Sequence, residues 1–164
     1  MGKGGAIRTG ISFAKGEILV VQDADLEYEP EEIISLLSPF DSGASVVYGS
    51  RNINRLSRDH SSWFFYWGGV FVTKVTNILF GSELTDEATG YKLFRANIFD
   101  YLSFYHDDFA WEPEITAKIL KNKFEIIELP ISYNPRSKKE GKKISWRDGV
   151  KAIWVLFYEK FINR

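Results

Sequence analysis

Cysteine is absent from this chain of 164 residues, which excludes a disulfide framework and thiolate chemistry. Histidine is scarce. His60 and His106 have no ligand-like partners at metal spacing, so both read as structural or surface residues. Neither charge is in excess: 21 Lys and Arg face 22 Asp and Glu, a net charge of −1. That balance removes the global electrostatic argument for a nucleic-acid partner. Long apolar runs are missing too. The most apolar stretch, Trp63 to Val72, is too short to span a bilayer and is followed closely by Lys74. The N-terminus lacks the apolar core of a signal peptide, so a cytoplasmic compartment is expected. There is no internal repeat and no low-complexity tract, and the length suits one domain.

What is present begins with Gly16-Glu17-Ile18-Leu19-Val20-Val21-Gln22-Asp23-Ala24-Asp25. Ile18 to Val21 is a short apolar, β-branched run of the kind found in a sheet covered on both faces. Ligands of open α/β sheets bind just beyond the carboxyl ends of such strands. Asp23 and Asp25 stand there, at a spacing that suits Mg²⁺ or Mn²⁺ completed by substrate phosphates. Taken alone, two such Asp residues more often shape a turn. Upstream, Gly2-Lys3-Gly4-Gly5 opens a turn, and a helix is expected from about Ala6 to Lys15. Lys3 and Arg8 place cations near that helix start, where backbone N–H groups favour phosphate. The spacing is not that of a Walker A loop.

Alternating elements follow. Helices are expected at Pro30–Leu37, Ser62–Phe80, Ala96–Leu102, Glu112–Lys121 and Ser145–Ile162. Strands are expected at Glu17–Gln22, Ala44–Tyr48 and Phe124–Tyr133, with Pro130 pushing the last toward a sheet edge. Glu112 and Glu114 open a helix, where the dipole favours acids, and for at least one of them that role suffices. The segment 145–164 is amphipathic: Trp146, Val150, Ile153, Trp154, Phe157, Tyr158 and Phe161 lie largely to one side. From Arg136 onward the chain is basic. Such a helix suits the headgroup plane of a membrane, and equally suits packing against the sheet.

The ordered motifs resemble glycosyltransferase family 2, and within it the dolichyl- or polyprenyl-phosphate hexosyltransferases. They run from Gly2-Lys3-Gly4-Gly5-Ala6-Ile7-Arg8-Thr9-Gly10 to Asp23-Ala24-Asp25-Leu26-Glu27-Tyr28 and Tyr48-Gly49-Ser50-Arg51. Thr85-Asp86-Glu87-Ala88-Thr89-Gly90-Tyr91-Lys92-Leu93-Phe94, Trp111-Glu112-Pro113-Glu114 and Pro130-Ile131-Ser132-Tyr133 follow. Glu140-Gly141-Lys142-Lys143-Ile144-Ser145-Trp146 closes the series. The resemblance implies a Rossmann-like GT-A α/β domain with a mostly parallel sheet flanked by helices. The family's opening strands precede the glycine turn. This chain is therefore expected to be an incomplete domain, inactive alone, whose first third is lost or supplied by a second polypeptide.

The implied activity is metal-dependent, inverting transfer of a hexose from a nucleotide-diphosphate sugar to a polyprenyl or dolichyl phosphate. It would take place at the cytoplasmic face of a membrane, with the protein peripheral to it. Asp23 and Asp25 would hold Mg²⁺ or Mn²⁺, which stabilises the leaving diphosphate. Lys3, Arg8, Thr89, Gly90, Arg136, Lys142 and Lys143 would bind the donor and its phosphates. Arg51 and Arg58 flank the long aromatic helix as candidates for the acceptor phosphate. Asp86 matches the family's catalytic-site acid. It would be a general base for a hydroxyl acceptor; with an acceptor that is already anionic it would orient the donor or support the metal. Transfer to a saccharide hydroxyl, and a non-catalytic membrane-associated remnant or partner subunit, are the competing readings.

Overall fold

The computed structural model describes residues 2–53, 63–135 and 145–163. Arg58, His60, Arg136, Lys142 and Lys143 lie outside the described residues. Helix α1 (Lys3–Phe13) leads to strand β1 (Ile18–Val21). A 3₁₀ turn at Pro30–Glu32 runs into α2 (Ile33–Asp41), followed by β2 (Val46–Ser50) and α3 (Trp63–Phe80). Strand β3 (Lys92–Arg95) ends in a 3₁₀ turn at Ala96–Asp100. Helix α4 (Trp111–Lys121), β4 (Ile126–Pro130) and α5 (Trp146–Phe161) complete the order.

The described strands form one sheet in the order β1-β3-β2-β4. β3 is antiparallel to both β1 and β2, whereas β2 and β4 pair in parallel. β1, β2 and β4 therefore run one way and β3 runs against them. The mostly parallel expectation holds for strand direction and fails for pairing, because a reversed strand sits inside the sheet. Sequence reading left β3 without an element. Four residues bounded by Lys92 and Arg95 show little apolar alternation, yet Lys92, Leu93 and Phe94 are all buried.

Alternation within the strands divides two cores. Val46, Tyr48 and Phe94 face Trp111, Ile115 and Ile119, with Ile7 and Ile11 of α1 packed alongside. Val47, Leu93 and Tyr91 face Leu36 and Phe40 of α2, with Tyr28 and Ile131. A third cluster, Val72, Ala117 and Leu156, joins α3, α4 and α5. Each fully buried aliphatic or aromatic side chain contributes about 1.5–3 kcal/mol.

Helix α1 starts at Lys3 rather than Ala6, so its glycines are helical. Their role is close approach. A Cβ on Gly4 would lie 2.1 Å from the His106 carbonyl oxygen and 2.8 Å from Trp111 Cβ. The Gly5 N–H donates to the Asp107 carbonyl at 3.0 Å. The first turn of α1 is thereby pressed against the loop that starts α4.

Helix α5 packs by one side and leaves an aromatic side exposed. Val155, Leu156 and Glu159 are buried against the neighbouring helices, while Trp146, Val150, Trp154, Phe157 and Phe161 remain exposed. The Asp148 carboxylate accepts from the Ser145 N–H at 2.7 Å and from its hydroxyl at 2.8 Å, which caps the helix. Among the described residues no helix is long and apolar enough to cross a membrane.

Candidate functional site

The chain turns sharply beyond β1. Asp25 Oδ1 accepts the Glu27 N–H at 3.2 Å, and Leu26 between them adopts a left-handed φ of 61°. Leu26 is 88% exposed, so packing does not explain a conformation that glycine and asparagine favour. Asp23 is held differently. Its Oδ2 accepts from Lys3 Nζ at 2.8 Å, and that ammonium also contacts Glu112 Oε1 at 2.6 Å. Glu112 Oε2 meets Lys92 Nζ at 2.6 Å. Lys92 is fully buried and donates to the carbonyls of Glu87 at 2.8 Å and Thr89 at 2.7 Å.

Four charges thus alternate in sign through the interior: Asp23, Lys3, Glu112 and Lys92. They link α1, the end of β1, the 87–89 loop, β3 and the first turn of α4. Burial works against the charge on Lys3, but Glu112 and Asp23 outweigh it and hold its pKa above the ordinary value. Burial likewise opposes the Glu112 charge, and Lys3 with Lys92 brings its pKa below the usual carboxylate value. At Asp23 burial prevails over Lys3, and the pKa is raised. The 2.8 Å contact with an ammonium kept charged nevertheless describes an ion pair.

Gly90 borders the same carboxylate. A Cβ there would sit 2.8 Å from Asp23 Oδ2 and 2.9 Å from the Tyr28 ring. The Gly90 N–H donates to the Tyr28 hydroxyl at 3.0 Å. The absent side chain leaves a cradle beside Asp23. A groove of about 710 Å³ opens from here between α1 and β1, walled by Ala6, Ile7, Ala14 and Leu19, with Lys3, Asp23 and Asp25 on its lining.

The donor set fits a hard divalent cation in part. Carboxylate oxygens suit Mg²⁺ or Mn²⁺, and the Gly90 cradle leaves Asp23 Oδ2 approachable. Among the described residues no group of three or more His, Cys, Asp or Glu could hold a metal. Among the described residues, Asp23 and Asp25 would leave the remaining positions of such an ion to phosphate or water.

A second centre lies along the same loop. Arg51 grips Asp86 with two parallel bonds, Nε to Oδ2 at 2.6 Å and Nη2 to Oδ1 at 2.7 Å. The Arg51 N–H adds a third bond, to Oδ2 at 2.9 Å. Its Nη2 also donates to the Ala88 carbonyl, and its guanidinium lies over the Tyr133 ring. Glu128 accepts the N–H groups of Thr85 and Asp86 at 2.7 and 2.9 Å. Asp86 is buried, with both oxygens engaged.

Other expected site residues are occupied elsewhere. Thr89 is buried, its hydroxyl donating to the Gly49 carbonyl at 2.5 Å, so it shapes the loop and has no free hydroxyl for a donor. Arg8 donates to the Asp107 carboxylate at 2.7 Å and to the Tyr105 carbonyl at 3.0 Å. His106 pairs with Glu114 at 2.8 Å, as befits a structural residue. Of the two helix-start acids, Glu114 ties down the 105–106 turn and Lys118, while Glu112 joins the ion chain.

The comparisons with known proteins bear on family and fold. The family model described as Glycosyl transferase family 2 matches residues 1–103. The chain belongs to glycosyl transferase family 2. Polyprenol monophosphomannose synthase of Mycolicibacterium smegmatis is 28% identical over 138 residues, covering 77% of this chain and 51% of that protein. Glucosyl-3-phosphoglycerate synthase of Mycobacterium tuberculosis, solved with Mg²⁺ and uridine-diphosphate, superposes with a TM-score of 0.70 at 15% identity. Its complex with Mn²⁺, UDP-glucose and glycerol 3-phosphate gives 0.68 at 15% identity, and each covers 98% of this chain and 55% of the other. These two likenesses bear on the fold alone, which is of the mixed α/β GT-A type. The chain spans about half the length of the relatives it matches.

Four residues that the structure brings to these two centres were not among the expected site residues: Tyr28, Lys92, Glu112 and Glu128. Lys92 carried a weak signal, a lone charge set between Tyr91 and the apolar Leu93 and Phe94. Glu112 looked like an ordinary helix-start acid. Tyr28 and Glu128 had no local signal, because their partners lie far along the chain.

Proposed function

We propose that this domain serves metal-dependent, inverting transfer of a hexose from a nucleotide-diphosphate sugar to a polyprenyl or dolichyl phosphate at a membrane surface. The observation that carries the reading is the convergence of Asp23, Asp25 and the Lys3 ammonium beside the Gly90 cradle at the end of β1. The printed name of the M. smegmatis relative supports the lipid-phosphate acceptor. A divalent cation bound there would act as a Lewis acid on the leaving diphosphate. Asp23 and Asp25 would supply its carboxylates, and Lys3 would face the phosphate oxygens. Gly90 gives the donor room to approach Asp23.

Asp86 favours the phosphate acceptor over the saccharide hydroxyl. A general base must reach the proton it removes, and both Asp86 oxygens are held by Arg51. In this reading Asp86 orients Arg51, and Arg51 attracts the acceptor phosphate. An anionic acceptor needs no base. The exposed aromatic stripe of α5, with Trp67 and Phe71 on α3, would lie at the lipid surface.

Asp25→Ala tests the metal assignment. Mn²⁺ binding in the presence of UDP or GDP, followed by calorimetry, should fall at least tenfold, and any transfer to polyprenyl phosphate should vanish. Undiminished binding, or transfer that survives excess chelator, would sink the assignment.

A further inference from the structure

The two residues expected to serve different ligands are bound to each other. Lys3 was expected on phosphate and Asp23 on metal, yet Lys3 Nζ sits 2.8 Å from Asp23 Oδ2. A divalent ion on that oxygen would face an ammonium at contact distance, and like charges so close in a partly buried site repel strongly. Either the ion is refused or the ammonium leaves.

The surroundings say how it can leave. The backbone of Lys3 cannot shift, because Gly2 and Gly4 abut the 106–108 loop with no room for even a Cβ. The side chain can, since lysine has a flexible four-carbon stem. Its second partner, Glu112, is fixed in turn by Lys92, which two loop carbonyls anchor. Glu112 is therefore a pivot that stays put while Lys3 turns about it.

We propose that Lys3 is the resident counter-ion of Asp23 and exchanges partners on donor binding. The metal takes Asp23, and the ammonium, still held by Glu112, moves to the diphosphate that completes the metal's shell. The proposal rests on the donor-site reading above and deepens it. It makes metal and diphosphate interdependent. Metal alone must evict a cation with nowhere favourable to go, whereas metal arriving with diphosphate brings the cation its new partner. Lys3 is then a residue that selects the metal–diphosphate pair over the free ion.

The test compares wild type, Lys3→Met and Lys3→Arg by calorimetry and Mn²⁺ electron spin resonance, with Mn²⁺ alone and with UDP or GDP. Lys3→Met should bind Mn²⁺ alone at least tenfold more tightly than wild type. The enhancement of Mn²⁺ binding by the diphosphate should shrink by at least tenfold. Lys3→Arg keeps the charge and should keep weak binding of the free ion, which separates charge from packing even if Lys3→Met folds poorly. Unchanged affinity of Lys3→Met for Mn²⁺, an undiminished diphosphate effect, or free-ion binding by Lys3→Arg as tight as by a charge-free variant overturns the exchange alone. Failure of the wild type to bind Mn²⁺ with either nucleotide overturns the donor-site reading and the exchange with it.

Discussion

Glu87 is a carboxylate in surroundings that oppose its charge. It is buried beside Lys92, Glu112, Asp86 and Thr116, and neither carboxylate oxygen has a hydrogen-bond partner. The Thr116 hydroxyl is already committed to the Tyr48 hydroxyl and the Glu112 carbonyl. Burial pushes the Glu87 carboxyl up from 4.5 to about 7, against the pull of Lys92. The folded state thus holds this proton more tightly than the unfolded chain. Its contribution to stability is fully present below about pH 4.5 and is lost as the pH climbs to about 7 and just beyond. The loss is on the order of 3 kcal/mol. Glu87→Gln stays neutral throughout, so it should be more stable than wild type at about pH 8 and show a flatter pH profile. Denaturant titrations across that range check this, and parallel profiles for the two proteins would refute it.

At the scale of elements, α5 makes a sharp contrast available. Leu156 is wholly buried, whereas Trp154 is 64% and Phe157 is 44% exposed on the opposite side. Leu156→Ala should cost about 2–5 kcal/mol. Trp154→Ser with Phe157→Ser should change stability little, yet lower flotation with anionic liposomes. Flotation should also fall with salt, though less steeply than the basic composition suggests. Lys151 pairs with Asp108, Arg147 lies over Trp146, and Lys160 lies over Phe80. Binding indifferent to both lipid charge and the aromatic changes would remove the membrane reading. This helix also shows what sequence can and cannot convey. Its periodicity revealed an apolar surface at residues such as Trp154 and Phe157, and did not single out Leu156, which is buried. Which arc met α3 and α4 depended on neighbours that periodicity does not encode. The same holds elsewhere: the position of Asp23 and Asp25 just beyond β1 was legible because strand and carboxylates are contiguous, while the ion pairs of Glu112 with Lys3 and Lys92 join residues far apart along the chain. β3 was hidden because charged ends masked its four buried or half-buried positions.

For the whole molecule, the placement of β1 matters most. It pairs with β3 on one side and forms an edge among the described strands. Its four residues are only half-buried, and an apolar groove runs beside them. Such an edge offers unpaired backbone groups to another chain. Sedimentation velocity should therefore show association that grows with concentration. A strictly monomeric protein with a sharp, reversible melt over a wide concentration range would contradict this.

The contact between the start of α1 and the start of α4 also fixes when the site can exist during synthesis. Lys3 leaves the ribosome about a hundred residues ahead of its partner Glu112 and of the Asp107 carbonyl that receives the Gly5 N–H. At about 5–20 residues per second, that interval is roughly 5–20 s. Through it the nascent chain carries Asp23 with no ion chain to hold it, and α1 has no loop to rest upon. A helix of eleven residues is marginal by itself in water. The first turn of α1 is thus made about a hundred residues ahead of the loop it rests on, which leaves it exposed to chaperones and proteases while that loop is still being translated.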